Sequence, residues 1–492
     1  MNPGALINKD RPEGHGSGRR VSTRARRKTL RMLGVSPAQE SHDAEACRIP
    51  ECFRCRLKRP FKLHSEIVDA CRNRQLVIFA GAGVSTESRG IFSSNFYETI
   101  RKELRVSKTQ NLSFSKLMSL YCSPPRSRKN LLQSIKKRLD YVKSFPELYI
   151  YATEFHHELS TIPFIEEIFT TNWDDFFERE CDAIPIVTSN DFAIFQDLPG
   201  RKVFKIHGSV NNYGSIVATE EDYRRCYCKL SRGIVGNILR THLLTKTFVF
   251  VGYSFQDEDF QMICKLLSKE VQGLIPRSYV VTLDEKADSK LKAVKLNLTP
   301  IITSAPYFVQ ILKAKLVRQR LMLPDNRYWL RNAYSKVLTE QRKLSNLSYR
   351  KHPDSIYSQS YQDGLQHAFS YILATRNSGK NSDIHMMIHR IQSYAQIVKR
   401  CLKLGNYPDV AYFEGYETGL LYFMADEKGR RSLPTYYLFG CGDIHSLSGY
   451  LKAEKKAPNV HKSAHKVAQL MANSVHSEGV VYHRFPFLSS FN

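Results

Sequence analysis

The sequence predicts an α/β fold in its central half, with a doubly wound parallel sheet, followed by a mostly helical C-terminal region. Short, wholly apolar runs alternate with helical patterns between about residues 64 and 320, and such runs are typical of parallel strands covered on both faces. Turns that contain glycine or polar residues follow several of these runs, and the alternation stops near Pro324. The chain of 492 residues has room for two or three domains with their own cores.

The predicted sheet domain begins with a helix at residues 66–72 and the apolar strand Leu76–Ala80. A largely helical insert is expected at about residues 93–160, with a break at Ser123-Pro124-Pro125. Further apolar runs predict strands at residues 165–170, 184–188, 203–206, 247–251, 278–283 and 300–303. Helical patterns separate most of them, notably at residues 173–180, 257–269 and 306–317. This alternation is typical of a doubly wound sheet.

The remaining residues flank this domain on both sides. Residues 1–60 are polar and basic, so we expect a mostly disordered N-terminal segment. The sheet domain is assigned to residues 61–322, and residues 323–355, which lie between two proline-containing breaks, are interpreted as a linker. Residues 356–492 are expected to form a mostly helical domain, with helical apolar spacing at residues 384–403 and 413–424.

The composition is ordinary for a soluble globular protein, with 42% apolar and 24% charged residues. The sequence has no apolar stretch of about 18 residues and no apolar segment behind its N-terminal positive charges. We therefore expect neither a membrane-spanning helix nor a signal peptide. The 11 cysteines are scattered along the chain, which favours reduced thiols and a cytoplasmic location.

The formal net charge of +26 is the most unusual global property. A surplus of that size attracts polyanions such as nucleic acid, acidic proteins or anionic lipid. The excess is spread along the chain, so a solvated basic surface with a basic tail is the simpler explanation. Whether the protein has an activating protein or a nucleic acid as a partner stays open.

Two short patterns resemble parts of a zinc site and of a phosphate loop, but the neighbouring residues do not support either site. Cys47, Cys52 and Cys55 have a spacing compatible with zinc, but three cysteines beside arginines are more often incidental than metal-bound. The segment Asn377-Ser378-Gly379-Lys380 lacks the leading glycine and the preceding strand of a phosphate loop. We interpret this segment as a polar turn.

Two motifs follow the first strands of the predicted sheet. Gly81-Ala82-Gly83-Val84-Ser85 comes directly after the strand at Leu76–Ala80. Its glycines allow a tight turn and let a pyrophosphate approach backbone N–H groups, while Ser85 is expected to cap the following helix. Thr170-Thr171-Asn172-Trp173-Asp174 ends the next strand. Asn172 and Asp174 have the chemistry to bind a carboxamide and a ribose, although either one could instead cap the next helix.

Two further motifs lie at later strand ends. His207-Gly208 offers a general base near neutral pH, and its glycine would leave room for a sugar. Gly252-Tyr253-Ser254-Phe255 offers backbone and hydroxyl groups to a phosphate or ribose. Each motif has an ordinary structural explanation when it is considered alone. Ligands bind at the carboxyl ends of strands in open parallel sheets, where all four motifs are predicted to lie.

In this order and spacing, the motifs resemble those of the sirtuin superfamily, which read GAGxS, T-x-N-x-D, HG and G-x-S. The resemblance covers roughly residues 64–320. It implies a sirtuin-type, Rossmann-like doubly wound sheet with a helical insert and with NAD+ bound as a substrate. It also implies that the strand segment ending in Asp284 closes the adenosine side of the site.

Two departures distinguish the chain from the protein deacylases of this superfamily. Deacylases carry a zinc ribbon of two CxxC pairs between the HG and G-x-S motifs, whereas only Cys226 and Cys228 lie there in this chain. Deacylases also have a Gly-Ile-Pro-Asp-Phe-Arg segment after GAGxS, where this chain has Gly90-Ile91-Phe92-Ser93-Ser94. The motifs are instead similar to those of the sirtuin-like NAD+ hydrolases of prokaryotic antiviral defence, which include the Thoeris-type effectors.

This second resemblance implies an NAD+ glycohydrolase that needs no metal in its catalytic domain. Asn172 and Asp174 would orient the nicotinamide riboside and a water, and His207 would act as the general base. The products would be nicotinamide and ADP-ribose or a cyclic form. The implied NAD-binding set is Gly81, Ala82, Gly83, Ser85, Thr171, Asn172, Asp174, Gly252, Ser254 and Asp284.

Two other functions stay open. One is an NAD-dependent protein deacylase or ADP-ribosyltransferase, which would share the pocket. The other is a non-catalytic module that senses NAD or ADP-ribose while its basic surface binds nucleic acid. By analogy with the family, the C-terminal domain would regulate the enzyme or mediate a homo-oligomer.

Overall fold

The computed structural model describes residues 53–88, 90–253, 258, 276–292, 297–325, 327–426 and 432–474. The predicted N-terminal segment therefore lies almost entirely outside the described residues, as does most of the helix predicted at residues 257–269. Among the helices that are described, none is long and apolar enough to span a bilayer.

A seven-stranded sheet forms the centre of the protein, and every pair of neighbouring strands is parallel. Its strand order is β3-β4-β2-β1-β5-β6-β7. The strands are β1 (Leu76–Ala80), β2 (Glu167–Thr170), β3 (Ile184–Ile186), β4 (Lys202–Lys205), β5 (Thr247–Val251), β6 (Ser278–Thr282) and β7 (Leu298–Ile302). This arrangement confirms the predicted fold class.

The strand order explains how motifs that are distant in sequence come together. The chain leaves β1 toward β2, β3 and β4, and then crosses to the other side of β1 to form β5, β6 and β7. The four motif-bearing strands β4, β2, β1 and β5 are consequently consecutive neighbours, with β6 next to them. The reversal between β1 and β5 is the topological switch point at which such sheets bind ligands.

Helices cover both faces of the sheet, and two separate apolar clusters lie against its two faces. Strand β1 is buried along its whole length, and β5 is buried at every residue after Thr247. In the sheet region the helices are α1 (Phe53–Leu57), α2 (Ser65–Arg72), α3 (Phe96–Glu103), α4 (Phe114–Tyr121), α5 (Arg128–Ser144), α6 (Pro146–Ala152), α7 (Glu154–Ser160), α8 (Phe176–Cys181), α9 (Ser189–Phe195), α10 (Glu220–Arg232), α11 (Ile234–Thr245), α12 (Ala287–Lys292) and α13 (Ala305–Arg318).

The C-terminal region is helical and has an apolar cluster of its own, which begins at Leu323. The closest pair in this region is formed by α15 and α17, in which Gly364 and Gly415 allow the two backbones to approach each other. The helices are α14 (Arg327–Leu344), α15 (Ser355–Ala374), α16 (Ile384–Lys403), α17 (Tyr407–Met424), α18 (Leu447–Glu454), α19 (Ala457–Val460) and α20 (Lys462–Ser474).

Residues 323–355, which we interpreted as a linker, differ from that expectation. Helix α14 occupies most of this segment and buries Leu330, Ala333 and Val337 in the C-terminal apolar cluster. Their spacing of three and four residues places them on one helical face, so burial of that face accounts for the helix. The division of the chain into domains stays a prediction.

The helical region contacts the sheet domain at the amino edge of the sheet. Arg201, which directly precedes β4, is buried and donates hydrogen bonds to the backbone oxygens of Ile162 (2.7 Å) and Ile165 (2.8 Å). Its guanidinium also lies 3.4 Å from the backbone oxygen of Asn377, and the Asn377 amide donates to Arg179 O at 3.0 Å. The polar turn predicted at residues 377–380 thus forms part of this contact.

A half-buried ion pair at the start of β2 should make the stability of the protein depend on pH. Glu167 binds His242 of α11 (3.0 Å) and Lys246, which directly follows α11. Burial alone would raise the pKa of Glu167, but the two hydrogen bonds outweigh it and lower the pKa from 4.5 to about 2. A carboxyl with a lowered pKa stabilises the fold above about pH 4.5 and loses this contribution as the pH falls toward 2.

Glu167→Gln is therefore expected to lower the free energy of unfolding by about 2–3 kcal/mol at pH 7. The difference from wild type should shrink below pH 4.5 and be small near pH 2, as measured by urea unfolding at a series of pH values. Glu285→Gln is the control, because Glu285 pairs with Arg59 at an exposed position and should matter little. A difference for Glu167→Gln that does not depend on pH would contradict this assignment.

Candidate active site

The first motif forms a short turn at the carboxyl end of β1. Residues Ala82–Val84 make one turn of 3-10 helix, and Gly81 N donates to Val251 O of the neighbouring strand β5 at 2.9 Å. Ser85 is fully buried, and its hydroxyl donates back to Ala82 O at 3.4 Å. Our expectation that Ser85 caps the following helix is wrong, because the next helix, α3, begins at Phe96 and is capped by Asn95.

The glycines of this turn are required by a close approach of two loops. Gly83 N donates to Gly252 O at 3.0 Å, so the loop after β1 rests directly on the loop after β5. A Cβ atom on Gly83 would lie 2.8 Å from that oxygen, and one on Gly252 would lie 2.7 Å from Gly81 O. Gly252 also has φ +73°, which favours glycine. The two loops form a single unit at the switch point.

Asn172 joins the second motif to the first. Its backbone N–H donates to Thr170 Oγ1 at 3.0 Å, which places the residue at the end of β2. Its side-chain Nδ2 donates to Ser85 Oγ at 3.3 Å, and both side chains are buried. The Asn172 side-chain oxygen is buried and has no hydrogen-bond partner among the described residues. Asn172 therefore presents an acceptor beside the turn after β1.

Asp174, by contrast, has a local structural role. It is buried, and its Oδ1 accepts a hydrogen bond from Phe176 N at 3.2 Å, at the first residue of α8. The two residues that the sequence could not tell apart thus differ: Asp174 fixes the start of the helix, and Asn172 faces the neighbouring loop. A direct role for Asp174 toward a ligand stays a prediction.

Tyr253 connects three adjacent strand ends, and the sequence motif did not assign it a role. Its hydroxyl donates to Ala80 O at 3.0 Å and lies 2.9 Å from Thr171 Oγ1. A Cβ atom on Gly81 would lie 2.9 Å from the Tyr253 ring. Tyr253 thus forms part of the wall between the loops after β1, β2 and β5. The only sequence signal was an aromatic residue directly after the strand-end Gly252.

His207 lies at the carboxyl end of β4 and is buried. Its ring contacts that of Tyr223 edge-on, with centroids 5.0 Å apart, and its backbone oxygen accepts from Val217 N at 3.0 Å. We had expected Gly208 to leave room for a sugar, and the structure offers another reason for this glycine. It has φ +81°, and a Cβ atom there would lie 2.2 Å from Ser215 O, so backbone packing explains this glycine.

The remaining candidates lie on the β5 and β6 side of the sheet. Ser254 lies outside the described residues. Asp284 follows β6 and is partly buried, and its Oδ1 accepts from Lys286 N at 3.0 Å in the turn before α12. The structure thus brings together the turn after β1, Thr171, Asn172 and Gly252, and it places His207 and Asp284 at the ends of strands on either side.

The helical insert forms the outer part of this region. Glu87, just after the first motif, accepts two hydrogen bonds from Arg138 of α5, at 2.8 and 3.1 Å. Trp173, next to Asn172, packs against Phe96 and Phe114 of the insert, and its indole nitrogen is buried without a hydrogen-bond partner among the described residues. The insert therefore holds the segments that carry the first two motifs.

No group of three or more His, Cys, Asp or Glu side chains within the described ranges could hold a metal ion. Cys226 is buried and Cys228 is exposed, both on α10, and neither forms a disulfide with another described residue. Cys47 and Cys52 lie outside the described residues. The described residues at the strand ends offer amide, hydroxyl, imidazole, carboxylate and backbone groups.

Comparison with known proteins gives one family match and several relatives. Residues 166–301 match the family model of the SIR2-like domain, which begins just before β2 and ends within β7. The chain is 28% identical to NAD(+) hydrolase ThsA of Enterococcus faecium over 200 residues, which are 40% of each protein. It is 26% identical to NAD(+) hydrolase ThsA of Bacillus cereus (strain MSX-D12), covering 44% of this chain and 45% of that protein.

A more distant relative is Defense-associated sirtuin 2 of Bacillus subtilis, at 22% identity over 44% of this chain and 22% of that protein. The chain thus spans less than half the length of each of these relatives. The matched segment includes β2 to β6 and most of β7, so this part of the chain is similar to a SIR2-like domain.

Proposed function

We propose that this protein cleaves NAD+ at the bond between nicotinamide and ribose and thereby acts as an NAD-depleting effector of antiviral defence. The observation that carries the proposal is the contact between Asn172 and Ser85, which joins two motifs 87 residues apart in the sequence. It leaves a buried amide oxygen of Asn172 at the switch point of the sheet, where a nucleotide would bind. The names of the ThsA relatives support the same activity.

The proposed binding mode follows the strand order. Gly81, Ala82 and Gly83, with Gly252 and Ser254, would hold the pyrophosphate. Ser85 and Thr171 would lie beside the nicotinamide ribose, and Asp284 would bind the adenosine ribose on the β6 side. These positions form one continuous edge because β2, β1, β5 and β6 are neighbours. The roles of the individual residues are part of the proposal.

In the proposed reaction, the bond between C1′ of the ribose and the nicotinamide nitrogen breaks, and nicotinamide leaves with the electron pair. The transition state has the character of an oxocarbenium ion, so the enzyme acts mainly by orienting the two parts of the substrate and a water. The Asn172 amide oxygen would position the nicotinamide riboside or the water. His207 would take the proton of the water as it attacks C1′. Asp174 would act by holding the loop of Asn172.

The experiment is to incubate the purified full-length chain with NAD+ and to measure nicotinamide and ADP-ribose by chromatography, with and without candidate activators. Release of nicotinamide from NAD+ and water alone would support the proposal. Release only in the presence of an acylated peptide would indicate a deacylase, and transfer of ADP-ribose to protein would indicate a transferase. Binding of NAD+ without turnover, together with salt-dependent binding of DNA or RNA, would indicate a sensing module.

The cellular setting belongs to the same proposal. We place the protein in the cytoplasm, where NAD+ is available, and we propose that an activating protein, a nucleic acid or self-association controls it. The scattered cysteines of the sequence favour a reducing compartment, where thiols stay reduced. A regulatory role of the helical region is likewise proposed.

A further inference from the structure

Lys205, the last residue of β4, has a fully buried ammonium group inside the sheet domain. Lysine is among the residues least often buried without a partner. The Lys205 ammonium donates to the backbone oxygen of Asp174 and lies 3.1 Å from Glu178 Oε1 on α8. The buried ring of His156 lies close to this group, and burial lowers the pKa of His156 to about 4, so this ring is neutral at pH 7.

The position of Lys205 connects two of the site segments. It lies two residues before His207, and the backbone oxygen that it binds belongs to Asp174, two residues after Asn172. The regular pairing of β2 and β4 ends at Thr170 and Lys205, followed by a bond from Ile206 N to Thr170 O at 2.9 Å. Beyond this point Val210 N donates to Trp173 O at 2.9 Å. The Lys205 contact with Asp174 joins the same two segments.

A buried ion pair is weak support for a purely stabilising role. Replacing such a pair by apolar or neutral groups of similar volume is often neutral or stabilising, because two charges no longer have to be kept from water. The Lys205 ammonium instead fixes the distance between the loop that carries Asn172 and the end of β4. Glu178 lies on α8, one helical turn after Asp174, and its carboxylate balances the charge of Lys205.

We propose that Lys205 is a positioning residue, which holds the loop of Asn172 in register with His207 through the backbone oxygen of Asp174. The proposal deepens the proposed function, because the two residues that it aligns are those assigned to the reaction. It predicts that the loop moves when the ammonium is removed, even if the charge is balanced and the fold is kept.

The test is the double substitution Lys205→Met with Glu178→Gln in the full-length chain, which removes both charges and nearly conserves volume. The matched control is Lys313→Met with Glu158→Gln. That pair is also largely buried, with Lys313 Nζ 2.6 Å from Glu158 Oε2, but it joins α13 to α7 and lies at no strand end of the site. Both double variants are expected to have similar melting temperatures.

Two measurements should distinguish the Lys205 double variant from the Lys313 double variant. Hydrogen exchange of the backbone amides at residues 171–176 should become about tenfold faster in the Lys205 variant and stay unchanged in the control. The kcat for nicotinamide release should fall about 10- to 100-fold with little change in KM, because misplacement of reacting groups lowers kcat. Unchanged exchange and unchanged kcat in a folded Lys205 variant would overturn the proposal.

The exchange measurement does not depend on the proposed activity. If the wild-type chain releases no nicotinamide, the proposed function fails, and faster exchange in the Lys205 variant still supports the positioning role. If the double variant does not fold, Lys205→Arg provides the test, since arginine keeps a cationic donor for the Asp174 oxygen. That variant should keep the slow exchange of the loop, and rapid exchange in it would contradict the proposal.

Discussion

Replacing Asn172 by alanine is expected to lower kcat for nicotinamide release by about 10²–10³, which is the usual cost of removing one preorganised polar group from an active site. The substitution removes the buried amide oxygen that is available to a ligand, and it also leaves Ser85 Oγ without the Asn172 amide donor. Steady-state kinetics with NAD+, monitored by nicotinamide release, measures the change. The free energy of unfolding should change much less than the activity.

Two companion variants make this test specific. Ser85→Ala removes the contact that orients the Asn172 side chain but leaves the amide itself, so its kcat should fall less than that of Asn172→Ala. Asn237→Ala, on the exposed side of α11, should have wild-type activity. Wild-type kcat in Asn172→Ala would refute the site as assigned, whatever the other variants do.

The second large effect is expected from Gly252→Ala, which should lower the free energy of unfolding by about 3 kcal/mol. The methyl group would lie 2.7 Å from Gly81 O and 2.8 Å from Val84 N, and the backbone has φ +73°. The loops after β1 and β5 would have to separate, so activity should fall along with stability. Urea unfolding and the NAD+ assay on the same preparation measure both effects.

Gly405→Ala is the matched control for this substitution. Gly405 has a similar φ of +68°, but apart from Gly405 and its two chain neighbours no described residue has a heavy atom within 4 Å of the added Cβ. It should cost only about 1 kcal/mol, from backbone strain, and should leave the activity unchanged. If both substitutions lower the free energy of unfolding by the same amount, backbone strain alone explains the effect at Gly252. The close approach of the two loops would then contribute nothing.

The sheet could be predicted from sequence because its strands are buried on both faces. Strands β1 and β5 have the predicted bounds, since each is one uninterrupted apolar run that ends at a glycine. Strand β2 begins at Glu167, two residues later than predicted, and the backbone oxygen of Ile165 before it accepts a hydrogen bond from the Arg201 side chain. The carboxyl ends of β1, β2 and β5 lie where the sequence predicts them, whereas β4 ends one residue earlier than predicted.

The contacts within the site could not be predicted in the same way. The roles of Tyr253 and Lys205 depend on which strands are neighbours, and this order is not the order along the chain. The choice between Asn172 and Asp174 depended on where α8 begins, a detail of one or two residues. The buried face of α14 could have been found from the spacing of Leu330, Ala333 and Val337, but the prolines that flank it favoured a linker.

The attachment of the helical region to the amino edge of the sheet has a consequence for signal transmission. The contacts of Arg201 with Asn377 and of Arg74 with Asp383 lie before the strands, whereas Asn172 and His207 lie after them. A strand of five residues separates the two edges by roughly 15 Å. A conformational change that starts at these contacts must therefore be transmitted by a tilt or a shift of strands and helices. It can reach the substrate only through these elements of the protein.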